Sequence, residues 1–333
     1  MHMRPSSRIT CLNIVAILLF LVTASLAHAA APVKVVVSLA PQKYFLQRLA
    51  GTALEVTVLA SSGSDPHTFE PSPAQMRAVA GAQVYFTIGA PFEAAWLPRI
   101  QGAAKQLRIV PLHAALEEDA DHHEDEKHAE PAHKGEEKHA EPGHKDDDHD
   151  DHAEAHATDA HGHGHTGKDP HIWLSPALML RMLDVMEKEV VALLPEKANA
   201  VTEAATALRN DIQTLQKSIH AQFAPFPAKQ RLFLTFHPAW HYFAEEFGTT
   251  ELSIEIDGKE PSPKAMKKVI DTALHHGLNT VFIEPQFPKS AAAMVADSIG
   301  ARIVTVDPLQ EDWLALLQSF SKELAASFPH VRP

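Results

Sequence analysis

KANAVTEAATALRNDIQTLQKSIHAQF, residues Lys197–Phe223, decides how the rest of the chain is read. Val201, Ala205, Leu208, Ile212, Leu215 and Ile219 recur at spacings of three or four, which places them on one face of an α-helix. At 1.5 Å per residue the stretch spans roughly 40 Å, longer than most helices within one domain. It therefore reads as a strut between two domains. Helical patterning extends back to about Pro176 and is broken only near Leu194-Pro195.

On both sides of this region, short β-branched runs alternate with helical stretches. Before it come VKVVVSLA (Val33–Ala40), LEVTVLA (Leu54–Ala60), QVYFTIG (Gln83–Gly89) and QLRIVPL (Gln106–Leu112), with helices after Pro41, Ser72 and Pro91 between them. After it come RLFLTFH (Arg231–His237), TELSIEI (Thr250–Ile256), NTVFIEP (Asn279–Pro285) and ARIVTVDPL (Ala301–Leu309), again separated by helical stretches and closed by a last helix from Asp312. Alternation of this kind implies right-handed crossovers and mostly parallel sheets. The expected fold is α/β, two lobes with parallel-type sheets and surrounding helices joined by one long helix, with a cleft between the lobes. At 333 residues the chain exceeds the usual single-domain size, in keeping with two lobes. The expected layout is a signal segment over 1–30 and a first lobe over 31–175. A helical region over 176–223 and a second lobe over 224–333 follow.

Between about Glu117 and Lys168 the periodicity stops. An 11-residue unit repeats there: EKHAEPAHK (Glu126–Lys134) returns as EKHAEPGHK (Glu137–Lys145). His122, His123, His128, His133, His139, His144, His149, His152, His156, His161, His163 and His165 all fall in this tract. With almost nothing large and apolar to bury, it cannot offset its ordering entropy and reads as a disordered, solvated loop. Residues 117–159 hold 18 acidic residues against four lysines, so the tract carries the net charge of −13 and the remainder is near neutral. Nothing supports a nucleic-acid surface, which needs a basic stripe.

Arg4 and Arg8, the apolar run Ile14–Leu26 and Ala27-His28-Ala29 read as a cleavable export signal. The run is too short for a membrane span, which needs about 20 residues. Cys11, the single cysteine, leaves with that segment. A metal held by the mature chain must then be bound by nitrogen and oxygen.

In open parallel sheets, ligands bind beyond the carboxyl ends of the strands. That rule selects His67 after the second strand, His171 after the acidic tract, His237 after LFLTF and Asp307 after IVTV. Three imidazoles and a carboxylate make a set suited to a tetrahedral divalent cation. Each also has an ordinary reading: a strand-end histidine is more often a hydrogen-bonding residue, and Asp169-Pro170 and Asp307-Pro308 are ordinary turn formers. Pro238 makes His237 a helix cap, with His241 pointing elsewhere. Glu245, Glu246, Glu255 and Glu260 read as residues of solvated faces or partners of lysines. HExxH, GxSxG and GxxxxGK[ST] are absent, and the one GxGxxG spacing, GHGHTG at Gly162–Gly167, falls in the histidine tract with no strand before it, so metalloprotease, serine hydrolase and nucleotide-binding readings lack an anchor.

GSDPHTFEPSP (Gly63–Pro73), DPHIWLSP (Asp169–Pro176), FHPAWHYFAEEFG (Phe236–Gly248), EIDGKEPSPK (Glu255–Lys264), FIEPQF (Phe282–Phe287) and VDPL (Val306–Leu309) together resemble the metal-binding solute-binding proteins of bacterial ABC importers. The likeness is to the ZnuA-like zinc-uptake group and covers Val33 to Phe328. It implies a rigid interlobe helix, with Zn(II) held between the lobes by His67 and His171 of the first and His237 and Asp307 of the second. It further implies a periplasmic monomer that is not an enzyme, whose partners are a membrane permease and its cytoplasmic ATPase. Some relatives replace the final aspartate by water or another carboxylate, and some carry a disulfide in the second lobe that this chain cannot form. His241 stands where relatives commonly have a small residue, which gives it an auxiliary or supporting role. Manganese relatives have a carboxylate in place of His237; imidazole favours zinc. The tract is expected to collect or sense zinc through sites weaker than the cleft, its histidines turning neutral and ligand-competent above about pH 7. A manganese or iron paralogue, a stand-alone zinc buffer and a zinc hydrolase are the alternatives.

Overall fold

The computed structural model describes residues 31–116, 169–255 and 261–328. The expected signal segment, the histidine tract and Glu260 lie outside the described residues. Among the described residues, no helix is long and apolar enough to cross a membrane.

The first sheet comprises β1 (Val33–Leu39), β2 (Leu54–Ala60), β3 (Val84–Thr87) and β4 (Arg108–Pro111) in the order β2-β1-β3-β4. The second comprises β5 (Leu232–Thr235), β6 (Thr250–Ser253), β7 (Thr280–Ile283) and β8 (Arg302–Thr305) in the order β6-β5-β7-β8. Every pairing is parallel, and the two sheets share one topology. Each places its reversal of strand order between its first and third strands, which is where ligands enter open α/β sheets. Most strands are shorter than their apolar runs, and the loops after β2, β5, β7 and β8 bring His67, His237, Glu284 and Leu309 to one cavity.

Three helices flank the first sheet: α1 (Ala40–Ala50), α2 (Pro73–Ala80) and α3 (Pro91–Ala103). All three have proline in the first turn, where a missing N–H costs nothing. Ser72 caps α2 by accepting from the Gln75 amide while Gln75 accepts from the Ser72 amide, a reciprocal capping box.

The helical region forms α4 (Pro176–Leu193) and α5 (Ala198–Phe223), separated at Leu194-Pro195 where proline cannot continue the helix. The apolar stripe of α5 is wholly buried, from Val201 through Ile219 to Phe223. Burying each Leu or Ile of that stripe contributes about 1.5–3 kcal/mol, so tertiary packing rather than propensity holds the helix in place. The second lobe adds α6 (His241–Phe247), α7 (Pro263–His275), α8 (Lys289–Ile299) and α9 (Trp313–Ser327).

One apolar core runs through the first sheet, α4 and α5 and continues into Phe233, Trp240, Phe282, Trp313 and Phe320 of the second lobe. A smaller core, including Leu234, Val281, Ile283 and Val295, lies on the other face of the second sheet. The lobes are therefore packed through shared apolar side chains. Hydrogen bonds reinforce this seam: Trp173 Nε1 donates to the Pro308 carbonyl at 2.9 Å, and Trp313 Nε1 donates to the Trp173 carbonyl at 2.6 Å. Glu246 of α6 accepts from the Ser175 hydroxyl, from the Ala177 amide at 3.1 Å and from Gln216 Nε2 at 2.8 Å. That carboxylate sits at the N-terminus of α4, where free amides and the helix dipole favour an anion. Its role is interlobe, not the solvated one expected of it.

Candidate metal centre

Two of the three histidines arrive on the same local device. In Asp65-Pro66-His67 the Asp65 Oδ1 accepts from the His67 amide at 2.9 Å, and in Asp169-Pro170-His171 the Asp169 Oδ1 accepts from the His171 amide at 2.9 Å. Proline fixes the middle of each turn and aspartate closes it, so the imidazole is presented at a defined angle. Asp307-Pro308-Leu309 repeats the device, with Asp307 Oδ1 accepting from the Leu309 amide at 2.9 Å. Asp307 thus stands where Asp65 and Asp169 stand, and Leu309 stands where the histidines stand.

His237 lies two residues past β5, in a bend before α6. The N-cap of that helix is Trp240, so His237 does not cap it as expected. Pro238 and Ala239 form a turn between them, closed by the Ala239 amide donating to the His237 carbonyl at 3.0 Å.

The rings of His67, His171 and His237 meet in a near-regular triangle with centroid separations of 5.6, 5.0 and 5.3 Å. One ligand nitrogen from each lies within 4.8 Å of the other two. His171 and His237 are 6% and 5% exposed, and His67 is partly buried. Asp307 is not in this mutually close set. His241 is exposed at the start of α6 and is not one of the three mutually close histidines. The tract histidines lie outside the described residues.

Carboxylates orient two of the rings. Asp169 Oδ1 lies 2.7 Å from His171 Nδ1, and Glu255 Oε2 lies 2.7 Å from His237 Nδ1. A carboxylate at Nδ1 holds the proton there and turns the Nε2 lone pair toward the cluster, the arrangement that orients metal-ligating histidines. For Asp169, burial pushes the carboxyl up, but the side-chain hydrogen bond from His171, its charge and its backbone hydrogen bond together hold the group below its ordinary value. His67 is lowered to about 4, first by burial and then by the neighbouring His171 and His237. It is therefore neutral, and able to donate a lone pair, throughout the physiological range.

A cavity of about 10 Å³ lies among the three rings, lined also by Trp173, Glu284 and Leu309. The His67 and His237 Nε2 atoms and Glu284 Oε2 are buried without a hydrogen-bond partner. Buried polar groups are rarely left so, and three at one cavity of single-atom size mark a place where something is held. A water could offer two protons, whereas a cation accepts every lone pair at once. Residue chemistry and cavity size together fit one small cation.

Sequence reasoning missed Glu255 and Glu284. Glu255 was placed on a solvated face, but its side chain is 11% exposed and it pairs with an imidazole. Glu284 directly follows β7, between the strands that carry His237 and Asp307, so the strand-end rule selects it as readily as it selects those two. Burial pushes its carboxyl well up, and Glu251, Glu255 and Asp307 add to the rise.

Comparison with known proteins agrees with this architecture. The zinc-binding protein AdcA of Streptococcus pyogenes is 26% identical over 289 residues, which is 84% of this chain; the chain spans about half (50%) of that relative's length. The high-affinity zinc uptake system protein ZnuA of Yersinia pestis is 26% identical over 281 residues, 83% of this chain and 82% of that protein. A crystal structure of a zinc-bound ZnuA deletion mutant superposes with a TM-score of 0.71 at 29% identity, covering 91% of this chain and 100% of that one. The family model described as zinc-uptake complex component A periplasmic matches residues 35–327. By that match, over nearly all of the two lobes and the helix between them, the chain belongs to the ZnuA family of periplasmic zinc-uptake components.

Proposed function

We propose that the protein captures Zn(II) between its two lobes and delivers it to a membrane permease driven by a cytoplasmic ATPase. His67 and His171 of the first lobe and His237 of the second are the ligands. The lobes correspond to residues 31–175 and 224–333, with the helical region 176–223 between them. The observation that carries the reading is the convergence of three imidazole nitrogens within 4.8 Å of one another, with two Nε2 atoms buried and unpaired. An all-imidazole triad suits zinc, while manganese favours carboxylate oxygen, so zinc is the cargo. Asp307 commits Oδ1 to the Leu309 amide, which leaves Oδ2 as its one oxygen free for a metal.

Transport rather than catalysis is the reading that membership of the zinc-uptake family supports, and a cavity of about 10 Å³ among the rings suits a single ion. Residues 1–30 act as the export signal that brings the chain to the periplasm. The histidine tract 117–168 adds weaker zinc sites near the cleft, since its sequence enters the described structure at Asp169, two residues before His171.

Chelator-competition titration tests the reading. The full-length protein binds one zinc far more tightly than the rest, and His237→Ala removes that tightest site. Deletion of residues 117–165 keeps it and lowers the number of weak sites. Loss of the tightest site on that deletion, with His237→Ala binding as wild type does, overturns the cleft assignment. Zinc-limited growth that needs this protein but no permease would favour a stand-alone buffer instead.

A further inference from the structure

Beyond the three imidazoles, the cavity is lined by a buried acid, Glu284, one of whose oxygens has no hydrogen-bond partner. Glu284 is 3% exposed, lines the cavity that His67, His171 and His237 line, and holds Oε2 without a hydrogen bond. Its position is fixed from both sides of the sheet. The Phe236 amide donates to the Phe282 carbonyl at 2.7 Å, and the Val306 amide donates to the Ile283 carbonyl at 2.9 Å. Glu284 therefore leaves the sheet at its point of strand reversal, facing the gap that His237 enters from β5.

Burying an acid with no partner costs free energy that an amide or an apolar side chain would spare, so its retention here points to a ligand. Its oxygens nevertheless lie outside the set of mutually close ligand atoms, which contains the three histidines alone. A zinc ligand oxygen sits about 2.0–2.2 Å from the ion, which would bring it close to all three nitrogens. Glu284 lines the same cavity from outside that set. Asp307, the neighbouring acid, commits one oxygen to its own turn, whereas Glu284 commits neither Oε2 nor any turn contact of its side chain to another residue.

We propose that Glu284 is the positioning residue for the fourth coordination place of the cation, holding by hydrogen bond a water that completes the tetrahedron begun by the three histidines. This rests on the reading of the cleft as the zinc site. Three neutral imidazoles leave the charge of a dication uncompensated, and with the cation bound Glu284 supplies an anion through the water. Asp169 and Glu255 do the same through His171 and His237, so that the cation is surrounded by anions one group removed.

The test compares the full-length protein with Glu284→Gln, Glu284→Asp, Asp307→Asn and His237→Ala. Zinc affinity of the tightest site is measured by chelator competition, and the visible spectrum is recorded after one equivalent of Co(II). Glu284→Gln is expected to weaken zinc by about 10–100-fold while the intense four-coordinate Co(II) bands persist at shifted energies. Glu284→Asp, which keeps the charge but withdraws it by one methylene, falls between Gln and wild type. Asp307→Asn, which keeps the turn acceptor but removes a charge near the site, weakens zinc less than Glu284→Gln does. Melting of the metal-free variants separates positioning from folding: Glu284→Gln melts no lower than wild type, since it removes a buried unpaired acid. Wild-type affinity and spectrum in Glu284→Gln overturn the proposal. So does a larger loss in Asp307→Asn, which would make Asp307 the ligand, or disappearance of the four-coordinate bands in Glu284→Gln, which would make Glu284 a direct ligand. Wild-type zinc binding in His237→Ala overturns the cleft reading itself.

Discussion

Replacing His67 by glutamine should make the metal-free protein more resistant to acid. In the fold, burial and the neighbouring His171 and His237 lower His67 to about 4, while in the unfolded chain it titrates near its ordinary 6.5. Between those values the unfolded state binds the proton and the folded state does not. By linkage, stability falls as pH drops through that window and the loss levels off below about pH 4. At pH 4.5 the His67 contribution to this loss is about 2–3 kcal/mol, since each unit of difference corresponds to about 1.4 kcal/mol. Above about pH 7.5 both states hold a neutral ring and the contribution vanishes. Urea unfolding followed by circular dichroism, with a chelator present, measures it at the two pH values. The stability difference between His67→Gln and wild type should shift by about 2–3 kcal/mol in favour of the variant between pH 7.5 and 4.5. Parallel acid sensitivity of the two proteins would refute the argument and, with it, the claim that the three rings crowd one desolvated site.

Glu255→Gln should weaken zinc by about 10–100-fold without unfolding the protein, because the His237 Nδ1 loses its anionic partner; isothermal or chelator-competition titration checks it. Trp173→Phe removes the donor to the buried Pro308 carbonyl and should cost about 1–3 kcal/mol in urea unfolding, with the Trp313 bond to the Trp173 carbonyl retained. Glu251, which accepts from the Thr235 hydroxyl and the Trp240 amide, is pushed by burial up to about 8. Its folded form keeps a proton that the unfolded chain has lost, so stability should fall as pH rises from about 4.5 to 8, and Glu251→Gln should flatten that slope in urea titrations.

The two lobes and the helix between them were legible because their signals are local and repeated. The α5 stripe from Val201 to Ile219 and the runs that became β1 to β8 needed only periodicity and turn residues. The strand-end rule also found all three histidines, since a parallel sheet sends its carboxyl ends to one edge whatever the side chains. What the sequence concealed depends on contacts between distant segments. Asp307 and His67 both follow the pattern of strand, turn and cleft, yet only the structure separates an aspartate that closes a turn from a histidine that the same turn presents. Glu255 and Glu246 read as ordinary surface acids because their partners, the His237 ring and the N-terminus of α4, lie 18 and about 70 residues away. Glu284 lay in a motif already noted, but its burial becomes visible only when β5, β7 and β8 are set side by side.

X-ray absorption at the zinc edge, on the protein lacking residues 117–165 and loaded with one equivalent of zinc, tests the central claim most directly. The account predicts three imidazole nitrogens at about 2.0–2.1 Å, one oxygen in the fourth place and no sulfur, with the imidazole count reduced in His237→Ala. A spectrum with fewer than three imidazoles, or one that His237→Ala leaves unchanged, would contradict it.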